Sequence, residues 1–140
     1  MMKMKKIREW VDLGVKMSTG QCSGSIRNSQ GETCVVGSAW EGIEGEKMVD
    51  DTTKGMLVLE GKIPELRSWV KCPRCNNHAL QSITYMMVHQ NDVHRLTREE
   101  IADWADQEVA KVKAKEKPVQ VSEVVAKRRV DEEVVLKKGV

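Results

Sequence analysis

A mostly α-helical fold, a small helical domain with a C2H2-type zinc knuckle and a basic C-terminal arm, is predicted by three features of this sequence. Apolar residues recur at helical spacing in several stretches divided by Gly- and Ser-rich segments. Cys72 and Cys75 are followed by His89 and His94 at a spacing suited to one metal ion. The charge is uneven: residues 1–110 carry 14 Lys/Arg against 16 Asp/Glu, whereas residues 111–140 carry 9 against 5. The expected organisation is a zinc-stabilised body over 1–110, with knuckle and metal-bearing helix at 71–95 and a capped helix at 97–112. A charged arm over 111–140 follows.

Taken in order, Met4, Ile7, Val11 and Val15, with Trp10 beside them, predict an amphipathic helix over 3–17. The stretch STGQCSGSIRNSQG reads as a loop. ETCVVGSAWEGI predicts a second short helix with Cys34, Val35, Ala39, Trp40 and Ile43 inward. GEKMVDDTTKG is polar and reads as irregular, and MLVLEG fits either a short strand or a helical turn. Pro64, tolerated at a first helical position, opens a brief helix with Leu66, Trp69 and Val70 inward. ALQSITYMMVHQ has no breaker and places Leu80, Ile83 and Met87 on one helical face. Thr97 with Glu100 three residues on forms a capping box, so a helix starts at Arg98. Its stripe is Ile101, Trp104, Ala105, Glu108 and Val112, and Pro118 ends it at the latest. Beyond that, Val pairs mixed with charges of both signs read as a frayed helix or an extended arm ordered only against something else.

The composition is lean for a core, with no Phe, one Tyr and four Trp. The body is expected to pack around Trp10, Trp40, Trp69 and Trp104 and to need a cross-link. The charged opening resembles that of a signal peptide, but Glu9 and Asp12 interrupt the apolar run such a peptide needs, so secretion by that route is not expected. No stretch approaches the length of a transmembrane helix, so no membrane partner is expected. The four cysteines then belong to a reducing compartment, where a CxxC pair favours metal or redox work.

The central pattern is C-x2-C-x13-H-x4-H, one residue from the commonest C2H2 spacing. In CPRC, Pro73 fixes the backbone so that two thiolates converge, and Arg74 favours their charge. Zinc accepts two sulfurs and two imidazoles in a tetrahedron without geometric penalty, and a structural zinc can contribute on the order of 10 kcal/mol to folding. His78 is the alternative ligand, able to replace one of the pair. Asp92 reads as a helix-end residue or as a partner to a ligating imidazole. A DNA-reading finger is disfavoured, because Ala79 stands where a large apolar residue is usual and no Lys or Arg occurs from Asn76 to Val93. An HNH-like metal nuclease is the outlying enzyme reading; its catalytic histidine lies upstream of the knuckle, whereas the first histidine here is His78. Cys34 reads as a small core residue and Cys22 is left open, so no catalytic residue is assigned.

The residues Cys72, Pro73, Cys75, His89, Asn91, Asp92, His94 and Thr97 to Trp104 follow a CPxC…HLNDxHxW…[ST]REEIADW pattern, from which Gln90 and Leu96 depart. In this the chain resembles small phage and prophage zinc-knuckle proteins with no assigned activity. CVVGSAWEGI is similar to their CALGAAxEGx-type helix, which implies packing roles for Cys34 and Gly37. The resemblance covers about half of the chain and implies a viral origin, in host cytoplasm or virion, and a zinc knuckle.

The function expected is therefore a non-enzymatic, zinc-stabilised phage protein that binds a protein partner or its own subunits as an assembly module, without a small-molecule substrate. Two alternatives are a virion structural component with an extended arm, and a nucleic-acid-binding accessory protein. In the latter, the lysine-rich tail supplies affinity through Lys127, Arg128 and Arg129 as candidate phosphate contacts.

Overall fold

In the computed structural model, the structure describes residues 6–75 and 79–116. The fold is mostly helical, with five α-helices, one 3-10 turn and one pair of two-residue strands among the described residues. The chain divides into two units, 1–109 and 110–140. Of the second, the described residues 110–116 are the last turns of a helix.

Helix α1 (Lys6–Val15) turns Ile7, Val11 and Gly14 inward, as its spacing predicts, while Met4 lies outside the described residues. Trp10 stays half-buried. The N-terminal N–H groups of this helix are met by a residue distant in sequence: Ile7 and Arg8 donate to the two carboxylate oxygens of Asp106, each at 3.0 Å. Ordinary capping comes from the preceding residue; here the last helix supplies it.

The loop after α1 is ordered by its own hydrogen bonds. Thr19 N donates to Gly31 O, Cys22 N to Thr33 O, Thr33 N to Gly20 O and Cys34 N to Ile26 O, all between 2.9 and 3.1 Å. Two isolated bridges result, with Thr33 between Gln21 and Arg27. Arg27 then forks onto Glu41, Nε to one oxygen and Nη2 to the other, both at 2.7 Å. Glu41 is completely buried and also accepts from Met48 N.

Helix α2 (Val35–Glu44) is the central element, with Val35 to Glu41 all buried. Cys34 is its N-cap: the sulfur accepts from Gly37 N at 3.4 Å, and Gly45, in the left-handed region, closes the other end. The cysteine expected to be a plain core residue thus also caps. Helices α1 and α2 cross at backbone contact. A Cβ on Gly14 would lie 1.8 Å from Ser38 O, and one on Gly42 would lie 1.9 Å from Trp10 O.

Helix α3 (Thr52–Lys62) starts inside the stretch expected to be irregular and absorbs MLVLEG. The reason is Asp51, whose side chain accepts from Lys54 N and starts a helix that a polar surface sequence conceals. A 3-10 turn (Pro64–Arg67) follows with Leu66 buried. Strand β1 (Trp69–Val70) pairs antiparallel with β2 (Gln81–Ser82), Trp69 opposite Ser82. This corrects two expectations: Trp69 and Leu80 are exposed, because the chain around them is extended hairpin rather than helix. Helix α4 (Ile83–Asp92) begins later than expected, capped by Ser82, and buries Ile83 and Met87.

Helix α5 (Arg98–Glu116) starts at the capping box: Thr97 N and Oγ1 donate to Glu100 Oε1, and Glu100 N donates to Thr97 Oγ1. Ile101, Ala102, Ala105, Asp106 and Val109 form its buried stripe, and Trp104 is only half-buried. Trp40 is the one fully buried tryptophan, so the core is largely aliphatic around it rather than a four-tryptophan cluster.

Candidate metal centre

Cys72 follows β1 by two residues and is buried; Cys75 is half-buried. Between them, Arg74 N donates to Cys72 Sγ at 3.4 Å, the turn of a knuckle. His89 lies in the last turn of α4, and His94 lies just past its end, where Val93 N still reaches His89 O at 2.8 Å. Arg95 adopts φ 55, a left-handed turn by which the chain leaves the site. Five residues of helix would carry His94 past His89; the loosened end brings the two rings edge to face, with centroids 4.9 Å apart.

The four donor atoms of Cys72, Cys75, His89 and His94 all lie within 4.8 Å of one another. Cys75 Sγ is 3.1 Å from His89 Nε2 and 3.0 Å from His94 Nε2, and the two Nε2 atoms are 3.2 Å apart. The edges of a zinc tetrahedron with ordinary bond lengths are about 3.3 Å for N···N, 3.6 Å for S···N and 3.8 Å for S···S. The Cys75 and histidine edges are within roughly half an ångström of those values. Protons can link these atoms only in pairs, whereas a single cation satisfies all of them together. The cluster can therefore hold a metal ion, and it is the one such group among the described residues.

Electrostatics favour the imidazole part of that chemistry and oppose the thiolate part. Burial, and then neighbouring His94, lower the pKa of the His89 imidazole, a shift toward the neutral form that ligates a metal. Burial and the adjacent Cys72 push the Cys75 thiol up. A bound dication supplies the charge that reverses such a shift.

Between the two histidines, Asn91 and Asp92 face the other way. Asn91 is fully buried and uses its whole hydrogen-bonding capacity. Its Oδ1 accepts from Val35 N and Gln21 Nε2, each at 3.0 Å, and its Nδ2 donates to Cys22 O at 2.8 Å and to Asp92 Oδ1 at 2.9 Å. Asp92 Oδ1 also accepts from Gly24 N at 3.1 Å. Asp92 is thus a helix-end residue whose carboxylate holds the 18–34 loop; the partners found for it are Gly24 and Asn91, not an imidazole. The same short segment presents histidines to the knuckle and amide groups to the start of α2.

Arg98 extends this arrangement. Its Nη1 donates to Ser18 Oγ, Gly20 O, Thr33 Oγ1 and Ser38 Oγ, and burial lowers its pKa. Asn91, Arg98 and Asp106 were not distinguished as structural anchors by spacing or composition. Each stands at an inward position of a helix, one turn from a buried apolar residue, and that is the signal that could have found them.

The remaining cysteines are poor nucleophiles. Burial pushes the Cys34 thiol up to about 12 and raises Cys22 as well. His78, Lys127, Arg128, Arg129 and the arm from residue 117 lie outside the described residues. No helix among the described residues is long and apolar enough to cross a membrane. No family model, no curated protein and no solved structure matches the chain.

Proposed function

We propose that Cys72, Cys75, His89 and His94 bind one zinc ion for structure, and that the protein is a non-catalytic phage module that binds a protein partner or assembles with other subunits. The observation that carries this reading is the convergence of four protein donors, two sulfur and two nitrogen, on one point. Four protein ligands close a tetrahedral zinc, whereas hydrolytic zinc sites keep a position for water. Sulfur and imidazole together select zinc over magnesium or calcium.

The surroundings support a scaffold rather than a reaction centre. Asn91 and Asp92 are occupied with the loop and α2, Glu100 with Thr97, and Asp106 with α1. The four donors of the cluster are thiols and imidazoles, with no carboxylate among them. Zinc would join the 72–75 turn to the end of α4, and α4 carries the amide that fastens the loop and α2. The likeness of His89 to Trp104 to phage and prophage knuckle proteins supports the viral setting.

The test is zinc content of the purified chain by mass spectrometry, with Cys72→Ser and His94→Ala alongside and folding followed by circular dichroism. About one zinc per chain, lost together with the fold in both variants, is expected. Zinc retained in His94→Ala with the fold intact would mean an open coordination position and overturn the structural assignment, as would metal-dependent cleavage of DNA.

A further inference from the structure

Trp69 is 65 % exposed, Tyr85 47 % and Leu80 45 %. Trp69 and Leu80 lie on the β1–β2 hairpin, and Tyr85 lies in the first turn of α4, directly after it. The other exposed apolar side chains, Leu13, Val49, Leu57 and Val93, are scattered over separate elements. Single exposed apolar residues are ordinary, but a tryptophan, a tyrosine and a leucine on one hairpin and its helix start are not.

The backbone that carries the indole is held in place. Trp69 pairs with Ser82, the preceding residue Ser68 accepts from Ile83 N at 3.0 Å, and Cys72 of the cluster is three residues on. A tryptophan has only two side-chain torsions to fix when it is covered, so it loses little entropy there, which is the property of an interface anchor.

The chain segment that carries it is cationic. From Leu66 to Asn91 the sequence holds Arg67, Lys71 and Arg74 and not one Asp or Glu. Acidic groups border this surface: Glu65 precedes Arg67 in the 3-10 turn, Glu60 of α3 is 3.9 Å from Arg67 and accepts from Thr84 Oγ1, and Glu100 of α5 interacts with Arg74. Arg67 is nevertheless largely exposed, as are Lys71 and Arg74. A second copy of the chain would bring the same cations face to face. Nucleic acid, which usually engages more cations than three, finds no Lys or Arg on β2 or α4.

We propose that the hairpin face around Trp69 is the docking site for an acidic segment of another protein, whose aliphatic or aromatic side chain packs on Trp69, Tyr85 and Leu80 while its carboxylates meet Arg67, Lys71 and Arg74. This rests on the reading of the protein as a zinc-held binding module, and it names the surface and the chemistry of the partner. Aromatic residues and arginine dominate the binding energy of such surfaces.

The experiment is selection of a displayed random 12-residue peptide library on the purified full chain, followed by fluorescence titration of the selected peptides. The expected sequences carry Asp or Glu flanking Leu, Phe or Trp, and they bind more weakly as salt rises. Trp69→Ala and Lys71→Glu are each expected to lower affinity by about tenfold or more. Both side chains are exposed, so zinc content and thermal unfolding should stay as in the wild type, which separates docking from folding. Several results would overturn the proposal: no selected peptide, no acidic enrichment, affinity indifferent to both substitutions, or a 15-nucleotide oligo-dT that binds more tightly through Trp69. Trp69-dependent self-association in sedimentation would do so too. Absence of zinc from the chain would instead defeat the structural-zinc reading, while zinc present with peptide binding unchanged in Trp69→Ala defeats the docking proposal alone.

Discussion

Replacing Asn91 by leucine, nearly the same size, removes four hydrogen bonds while filling the space. Two of the partners can recover: Gln21 and Asp92 are only half-buried, and water can reach them. The other two cannot. Val35 is fully buried, and its N–H is one of the first in α2, where the helix itself supplies no acceptor. The carbonyl of Cys22 belongs to a buried residue, and its bond to Asn91 is buried as well. An orphaned buried donor or acceptor costs about 1–3 kcal/mol, so Asn91→Leu, which leaves two, is expected to lower stability by about 2–6 kcal/mol, against a total of roughly 5–15 kcal/mol for a typical domain. Urea unfolding of the zinc-loaded chain measures this, with Gln21→Ala as the comparison expected to cost under about 1 kcal/mol. Asn91→Asp keeps the acceptors but turns an oxygen toward Cys22 O and Asp92, and it should approach the leucine variant. An Asn91→Leu chain within about 1 kcal/mol of wild type would refute the view that this amide fastens the loop and α2 to the metal-bearing helix.

Gly42→Ala should cost about 3 kcal/mol or more, since its methyl would meet the backbone of Trp10. Gly61→Ala, with nothing within 4 Å, should stabilise α3 by about 0.5–1 kcal/mol; paired thermal melts of the two check both signs. Arg27→Met leaves Glu41 buried without its counter-ion and should cost about 3–5 kcal/mol in urea unfolding, and Arg27→Met with Glu41→Gln should regain part of it. The Thr97 hydrogen bonds lower the pKa of Glu100 from 4.5, so its stabilising effect is present above that value and is lost as pH falls through the lower folded value. Glu100→Gln should therefore melt below wild type at neutral pH, which paired thermal melts of the zinc-loaded chain read. Chelation of the metal at neutral pH should unfold the body, read by circular dichroism, and added zinc should restore it.

Much of this architecture was legible in the sequence where one local force decides the outcome. The capping box at Thr97 and Glu100 places the start of α5, and the 3.6-residue spacing of Ile7 and Val11 orients α1. The convergence of Cys72, Cys75, His89 and His94 follows from knuckle and helix geometry that spacing encodes. Legibility failed where the local signal is a common one or where the partner is far along the chain. Asp51 starts α3 from within a polar run, and nothing nearby marks it off from any other surface Asp. Trp69 looked like core because tryptophan usually is, yet two rungs of hairpin turn it outward. Asn91 sits between two candidate ligands that drew attention to themselves, and its own task concerns residues 21, 22 and 35.

The carboxylate of Asp106 on the first turn of α1 joins residues 99 and 98 positions apart. During synthesis, α1 and α2 emerge long before Asp106 does, so the first helix spends that interval with its leading N–H groups uncapped. Contacts of such span make folding slow and favour a chain that completes its body only after most of it has left the ribosome. A truncation before residue 106 would then weaken the beginning of the protein as well as its end, and α1 would be the first place where a protease finds it.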